Sequence, residues 1–262
     1  MLGGLSYLLF HFVFIVPAII VGMLLRRLEP GCDLPAQKTG IAVLALIALI
    51  YTTPWDNYLV AKKIWTYGEG RVLEHLVIGY VPLEEYLFFV LQPVMTGIFF
   101  LFYAARLGIG RREFARPLLR GRAAWVGAGL FGVFTLFGVL CLLALPQKLT
   151  YLGLILVWAS PVLAFQWGYG GGTLWEQRRL LWRAVRTPTI YLWVVDMIAI
   201  EWKIWQILPE TSTGVLLFSL PLEEAVFFLM TNLLVVQGLM LFFQFVSRQG
   251  WSLREGARNG TY

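Results

Sequence analysis

Residues 77–104 read VIGYVPLEEYLFFVLQPVMTGIFFLFYA, an apolar run whose only charges are the adjacent Glu84 and Glu85. The run is long enough to span a bilayer, and ionisable groups inside a span are costly and usually face a bundle interior. The chain writes the motif again at residues 221–228, as PLEEAVFF. Pro, Leu, both Glu and both Phe recur, with Glu223 and Glu224 in place of Glu84 and Glu85. The fold and the function both turn on why two such pairs exist.

Composition gives the solvent. Of the 262 residues, 59% are hydrophobic and 14% charged, and the mean hydropathy is +0.73. A soluble domain carries about a quarter charged residues, so this composition predicts a polytopic membrane protein. Eleven Trp, eleven Tyr and nineteen Phe suit aromatic belts and aromatic-lined interiors. The net charge of +6 sits in short loops between apolar runs, which reports topology rather than nucleic-acid binding. Cys32 and Cys141 make neither a disulfide framework nor a metal site. The N-terminus lacks a positive leader region, and Arg26-Arg27 follows the first apolar run, so that run is expected to stay in the membrane with the N-terminus outside.

Apolar runs of about 20 residues place seven spans, at 4–25, 39–60, 76–105, 122–145, 150–168, 188–207 and 214–246. The sixth carries Asp196, Glu201 and Lys203. Most of the 21 Lys and Arg then fall on one side, including Arg106, Arg111, Arg112, Arg116, Arg120 and Arg122 in one connection and Arg178, Arg179, Arg183 and Arg186 in another. The positive-inside rule makes that side cytoplasmic, with the C-terminus in. The glycine run at 168–172 is assigned to the second connection; with no following GK[ST] it gives almost no phosphate-binding signal.

The two PLEE motifs are 139 residues apart, and Asp56 and Trp65 match Asp196 and Trp205 at a spacing of 140. These offsets carry spans one, two and three onto five, six and seven and leave the fourth unmatched. Two three-helix units joined directly would cross the membrane in opposite senses; the extra span makes them parallel repeats. The expected architecture is all-α, with a first repeat at 1–110, a linker and fourth helix at 111–147, a second repeat at 148–247 and a cytoplasmic tail at 248–262.

The carboxylates Asp56, Glu84, Glu85, Asp196, Glu201, Glu223 and Glu224 outnumber nearby cations, namely Lys62, Lys63, Lys203 and His75. Burial and mutual repulsion favour the protonated form in some of them, so that one acts as general acid and an ionised neighbour as base. Pro at a helix start and Glu in its first turn are also ordinary capping chemistry. Capping, however, requires no second copy of the motif. Asp56, Asn57, Asp196 and Glu201 are supporting candidates, with structural hydrogen bonding an equal reading for the two Asp residues. Phe88, Phe89, Phe227 and Phe228 lie one turn after the glutamates and serve either packing or stabilisation of a carbocation. His11 and His75 read as structural or interfacial. Contiguous acidic pairs remote from the arginines argue against a metal–diphosphate site, and no GxGxxG marks a dinucleotide cofactor.

Paired PLEE motifs that each lead a Phe-rich apolar helix resemble the small membrane-integral lycopene cyclases, in the form that fuses two short subunits. Residues 1 to about 110 resemble one subunit and about 145 to 247 the other. The resemblance implies a β-cyclase that protonates the ψ-end of lycopene within the bilayer, closes the ring and removes a proton, with no cofactor. It assigns Glu84, Glu85, Glu223 and Glu224 as acid–base candidates. It also implies lycopene, membrane lipid and other carotenoid-pathway enzymes as partners, and the cell membrane as location. A C50 ε- or γ-cyclase shares the motif. A proton-coupled transporter of three-plus-one-plus-three plan is the rival from another class. A retinal receptor would need a lysine in the seventh span, which is absent.

Overall fold

The computed structural model describes residues 6–32, 34–115 and 121–259, with side chains to residue 249. Residues 4 and 5 of the expected first span, Arg116 and Arg120 of the basic connection, and Tyr262 of the tail lie outside the described residues. The chain is mostly helical: α1 (Tyr7–Leu28), α2 (Gln37–Ala61), α3 (Leu83–Arg106), the short α4 (Arg111–Ala115), α5 (Arg122–Leu143), α6 (Thr150–Glu176), α7 (Arg178–Glu201) and α8 (Leu222–Asn259). Among the described residues six helices, α1, α2, α3, α5, α6 and α8, are long and apolar enough to cross a membrane. Their outward faces show exposed Phe12, Ile50, Trp125, Leu136 and Phe165, as lipid contact requires. The 24-residue α7 is long enough but carries four Arg, Asp196 and Glu201.

Four expectations are corrected. The apolar stretches 76–81 and 214–220 do not open helices. They form β-hairpins, with β2 (Val77–Ile78) on β3 (Val81–Pro82) and β5 (Leu216–Leu217) on β6 (Leu220–Pro221). The fold is therefore not purely α. Proline explains the change of structure: it has no N–H to continue a helix upstream, yet it sits well just before one. Pro82 caps α3 in an extended conformation, and the next amide, Leu83 N–H, donates back to Leu76 O at 2.8 Å. The glycine run 168–172 lies inside α6, which bends at Gly170 (φ −131°, ψ 19°) and continues to Glu176. The expected connection 176–186 shrinks to Gln177, because α7 begins at Arg178. Lastly, 205–207 is not helix but strand β4 (Trp205–Ile207).

That strand builds the centre of the layer that covers one end of the bundle. β1 (Trp65–Tyr67) pairs antiparallel with β4, Trp65 opposite Ile207 and Tyr67 opposite Trp205. Gly68 N–H to Ile204 O (3.0 Å) and Leu208 N–H to Ile64 O (2.9 Å) extend the ladder at both ends. Each strand follows a left-handed lysine, Lys63 and Lys203, both at φ 55°, which reverses the chain after its helix. Below this ribbon α3 and α8 form the buried middle of the bundle, joined by Phe88 against Phe228 (6.2 Å) and Phe100 stacked on Phe243 (5.7 Å). α1 and α2 pack on α3; α6 and α7 pack on α8. α5 packs chiefly on α6, at small residues such as Gly138 and Gly153 that leave room for the facing helix.

Candidate active site

The PLEE carboxylates lie under the ribbon, and all four are buried: relative exposure is 1% at Glu84, 4% at Glu85, 0% at Glu223 and 1% at Glu224. They do occupy first helical turns, so the capping geometry is present. Burial adds what capping does not need.

Within each pair the two glutamates do different things. The first ties down the incoming loop: Glu84 Oε1 accepts Leu73 N–H at 2.8 Å, and Glu223 Oε1 accepts Thr213 N–H at 2.6 Å. The second accepts a phenol: Tyr67 OH donates to Glu85 Oε2 at 3.2 Å, and Tyr151 OH to Glu224 Oε1 at 2.7 Å. Tyr7 is a further phenol facing Glu85. Tyr7 and Tyr151 are placed alike, each at a helix start whose amide is held by a loop carbonyl, Arg71 O (2.7 Å) between β1 and β2 and Thr211 O (3.0 Å) between β4 and β5. Burial first, and then the neighbouring Glu85, push the Tyr67 hydroxyl well above its ordinary pKa. It is therefore a neutral donor.

Asp56 and Asp196 complete the cluster. They are 0% and 1% exposed, and neither carboxylate has a hydrogen-bond partner among the described residues. Trp205 Nε1 points to Asp196 without closing a hydrogen bond. Asp56, Glu85, Asp196 and Glu224 are near enough to act on one another electrostatically. Among the described residues no Lys, Arg or His forms an ion pair with them; Lys62, Lys63, Lys203 and His75 are exposed. No group of three or more His, Cys, Asp or Glu among the described residues has metal-binding geometry.

Two supporting candidates stand apart. Glu201 is exposed at the end of α7. Asn57 bonds the first hairpin, taking Tyr80 N–H on Oδ1 (2.8 Å) and donating from Nδ2 to Tyr86 Oη (2.9 Å). His11 is buried with Nδ1 on Tyr7 O at 2.8 Å.

The four Phe residues are buried below the carboxylates. Phe88, Phe89 and Phe227 border a largely apolar cavity of about 160 Å³ between α2, α3, α6 and α8. Tyr51, Trp158 and Gln92 line it too. Trp55 stacks beside it on Trp158 (4.5 Å, 18°) and Phe227 (5.7 Å, 8°). Tyr7, Tyr51, Tyr67, Tyr151, Trp55 and Trp158 were not among the residues singled out from sequence. For Tyr7 and Tyr151 a signal exists, LSYL at 5–8 and LTYL at 149–152. For Tyr67 there is none, because Ile207 stands at the matching place.

The arrangement offers buried carboxylates with fixed orientation one helical turn from a largely apolar, aromatic-lined cavity, which is equipment for adding and removing protons on an apolar molecule. Comparison with known proteins gives the same chemistry a family. The lycopene beta-cyclase of Halobacterium salinarum is 38% identical over 237 residues, which cover 90% of this chain and 95% of that protein. The bifunctional lycopene cyclase/phytoene synthase of Aspergillus oryzae is 34% identical over 244 residues, 90% of this chain and 39% of the fungal protein. That of Aspergillus niger is 37% identical over 209 residues, 78% and 35% of the two chains. No family model and no solved structure matches the chain. With these relatives matched along nearly its whole length, the chain belongs to the lycopene β-cyclase family.

Proposed function

We propose that the chain converts the ψ-ends of lycopene to β-ionone rings within the bilayer, with Glu85 and Glu224 as the acid–base pair. The observation that carries the reading is that these two carboxylates are buried together, each on a phenol, one helical turn before the phenylalanines that border an aromatic cavity. A carboxyl group gives a proton to the terminal alkene, leaving a tertiary cation. The internal alkene of the ψ-end attacks that cation and closes a six-membered ring, which moves the charge to a ring carbon. A carboxylate then takes a proton from the adjacent carbon and restores the double bond. One proton enters and one leaves, so the reaction is an isomerisation. Glu84 and Glu223 hold the loops that roof the site, and Asp56 and Asp196 adjust its charge. The carotenoid is taken up from the surrounding lipid.

The architecture that goes with this chemistry is seven spans, α7 included, in two parallel three-helix units separated by α5, with the N-terminus outside and the C-terminus cytoplasmic. In favour are the matched loop ties on Glu84 and Glu223 and the matched helix starts at Tyr7 and Tyr151. The arginines of α7 would meet the cytoplasmic headgroups, and its Asp196 faces the buried cluster rather than lipid.

Expression in bacteria that accumulate lycopene tests the reading by pigment analysis. Monocyclic and bicyclic carotenes with β-rings are expected. Correctly inserted protein in cells whose pigment stays acyclic would overturn it.

A further inference from the structure

In two parallel units, the flank where α2 meets α6 corresponds to the flank where α7 meets α1. One hydrogen bond marks the same place on both: Tyr51 OH donates to Trp158 O at 2.8 Å, and Tyr191 OH to Phe14 O at 2.7 Å. From that common anchor the flanks diverge. On the first, Tyr51, Trp158, Trp55 and Phe227 form a continuous aromatic stack, and the cavity opens beside it. On the second, Val195 stands in the place of Trp55, and Phe14 in that of Trp158. There α7 is fastened across the bundle, Tyr103 Oη to Thr187 Oγ1 at 2.7 Å and Asn232 Nδ2 to Thr189 Oγ1 at 3.1 Å. The counterparts of these threonines on the first flank are Ile47 and Leu49, which have no polar group to close the gap, and Ile47 lines the cavity.

We propose that ring closure occurs in one chamber, on the α2–α6 flank, with Trp158 and Phe227 as its cation-facing wall and Trp55 as the ring stacked on both that positions them. The monocyclic product then leaves and re-enters with its other end. This rests on the lycopene cyclase reading above.

Two physical arguments support it. A cavity of about 160 Å³ is of the size class that takes one ring-sized group, which matches one end of the polyene at a time. The cation of ring closure needs negative potential, and indole and phenyl faces supply it without offering a nucleophile, whereas a water would capture it; the Tyr51 hydroxyl that lines the cavity is tied to Trp158 O. The wall does not change the proton balance. Each closure still takes one proton from an acid and returns one to a base.

An isotope-dilution experiment on membranes holding the full chain decides the release step. Labelled lycopene is supplied with an excess of unlabelled monocyclic γ-carotene. Release predicts labelled monocyclic carotene in the pool and a bicyclic product whose label falls in proportion to the excess. Rings that form with undiluted label in the bicyclic product would overturn release while leaving the cyclase reading intact. An absence of rings altogether would overturn both.

The wall is tested by substitution, normalised to inserted protein. Trp55→Val, which copies the second flank, is expected to lower kcat at least tenfold with KM little changed, and Trp55→Phe to recover most of it. Trp55→Leu, apolar but without a π face, is expected not to recover it. The control Phe14→Leu on the other flank should leave the rate within about twofold. Equal losses on both flanks, or full activity in Trp55→Val, would overturn the one-sided wall.

Discussion

The carboxylate region at the head of α3 and the one at the head of α8 share a frame and differ in what surrounds it. Both hang from a β-hairpin, both tie a loop amide to the first glutamate, and both present the second glutamate to a tyrosine at a helix start. Around that frame the residues change. Tyr67 on Glu85 is answered by Ile207, Asn57 by Met197, Tyr86 by Ala225 and Gly79 by Phe218. Two of the shared parts, the hairpin and the tie on the first glutamate, satisfy buried backbone groups, a demand that any copy of this turn must meet; the third is the proposed acid–base pair with its phenols. The changed parts set how each carboxylate is held and how firmly its hairpin is pinned. Under the proposed function, the difference separates residues that every copy of the frame needs from residues that would tune the reaction.

The sharpest way to break this division is to exchange the roles of the two glutamates in a pair. Glu85→Gln and Glu224→Gln remove a group from proton transfer, and each is expected to lower ring formation on the order of 100-fold or more. Glu84→Ala and Glu223→Ala strand the amides of Leu73 and Thr213, which costs about 1–3 kcal/mol and lowers the thermal midpoint in detergent. Their remaining folded protein should still form rings. Pigment chromatography alongside thermal unfolding reads both effects. If the first glutamates carry the activity and the second only the stability, the comparison is reversed.

A smaller effect separates the two regions from each other. Tyr151 is the hydroxyl bonded to Glu224, whereas Glu85 faces both Tyr67 and Tyr7. Loss of a hydrogen bond to a charged group costs about 1.5–3 kcal/mol when nothing replaces it. Tyr151→Phe should thus slow cyclisation by about tenfold or more. Tyr67→Phe, with Tyr7 still in place, should slow it by only a few-fold. Initial rates in membranes with matched protein levels test the order, and a larger loss at Tyr67 would contradict it.

Much of the frame was legible in the sequence, because membrane burial leaves few charges and each one is conspicuous. The PLEE pairs, Asp56 and Asp196 stood out for that reason, and the structure buries all of them. Apolar length alone misled at 76–81 and 214–220, since a hairpin strand that exposes apolar side chains and the opening of a span have the same composition. Gly79 and the prolines carried the missing information. The glycine run at 168–172 misled in the opposite way: glycine usually breaks a helix, but Gly170 lets α6 bend where a side chain would strike Leu241. The aromatic stack could not be read at all. Trp55, Trp158 and Phe227 meet only through packing of α2, α6 and α8, and nothing in their spacing says so.

The smallest difference concerns the hairpin turns themselves. Gly79 (φ 69°) and Phe218 (φ 60°) hold the same left-handed position, yet one is glycine and the other a phenylalanine that is 89% exposed. A Cβ at Gly79 would run into Asn57 Oδ1, which also holds Tyr80 N–H. At Phe218 the Asn57 counterpart is Met197, and the side chain points outward. Gly79→Ala is therefore expected to cost about 1–3 kcal/mol, through left-handed strain together with the lost hydrogen bond. Phe218→Gly should gain up to about 1 kcal/mol by relieving strain alone. A double-mutant cycle isolates the Asn57 contribution: with Asn57→Ala already present, Gly79→Ala should cost less than it does alone. Strict additivity of the two changes would mean that the strain of the turn, and not its pin to Asn57, makes glycine necessary at 79.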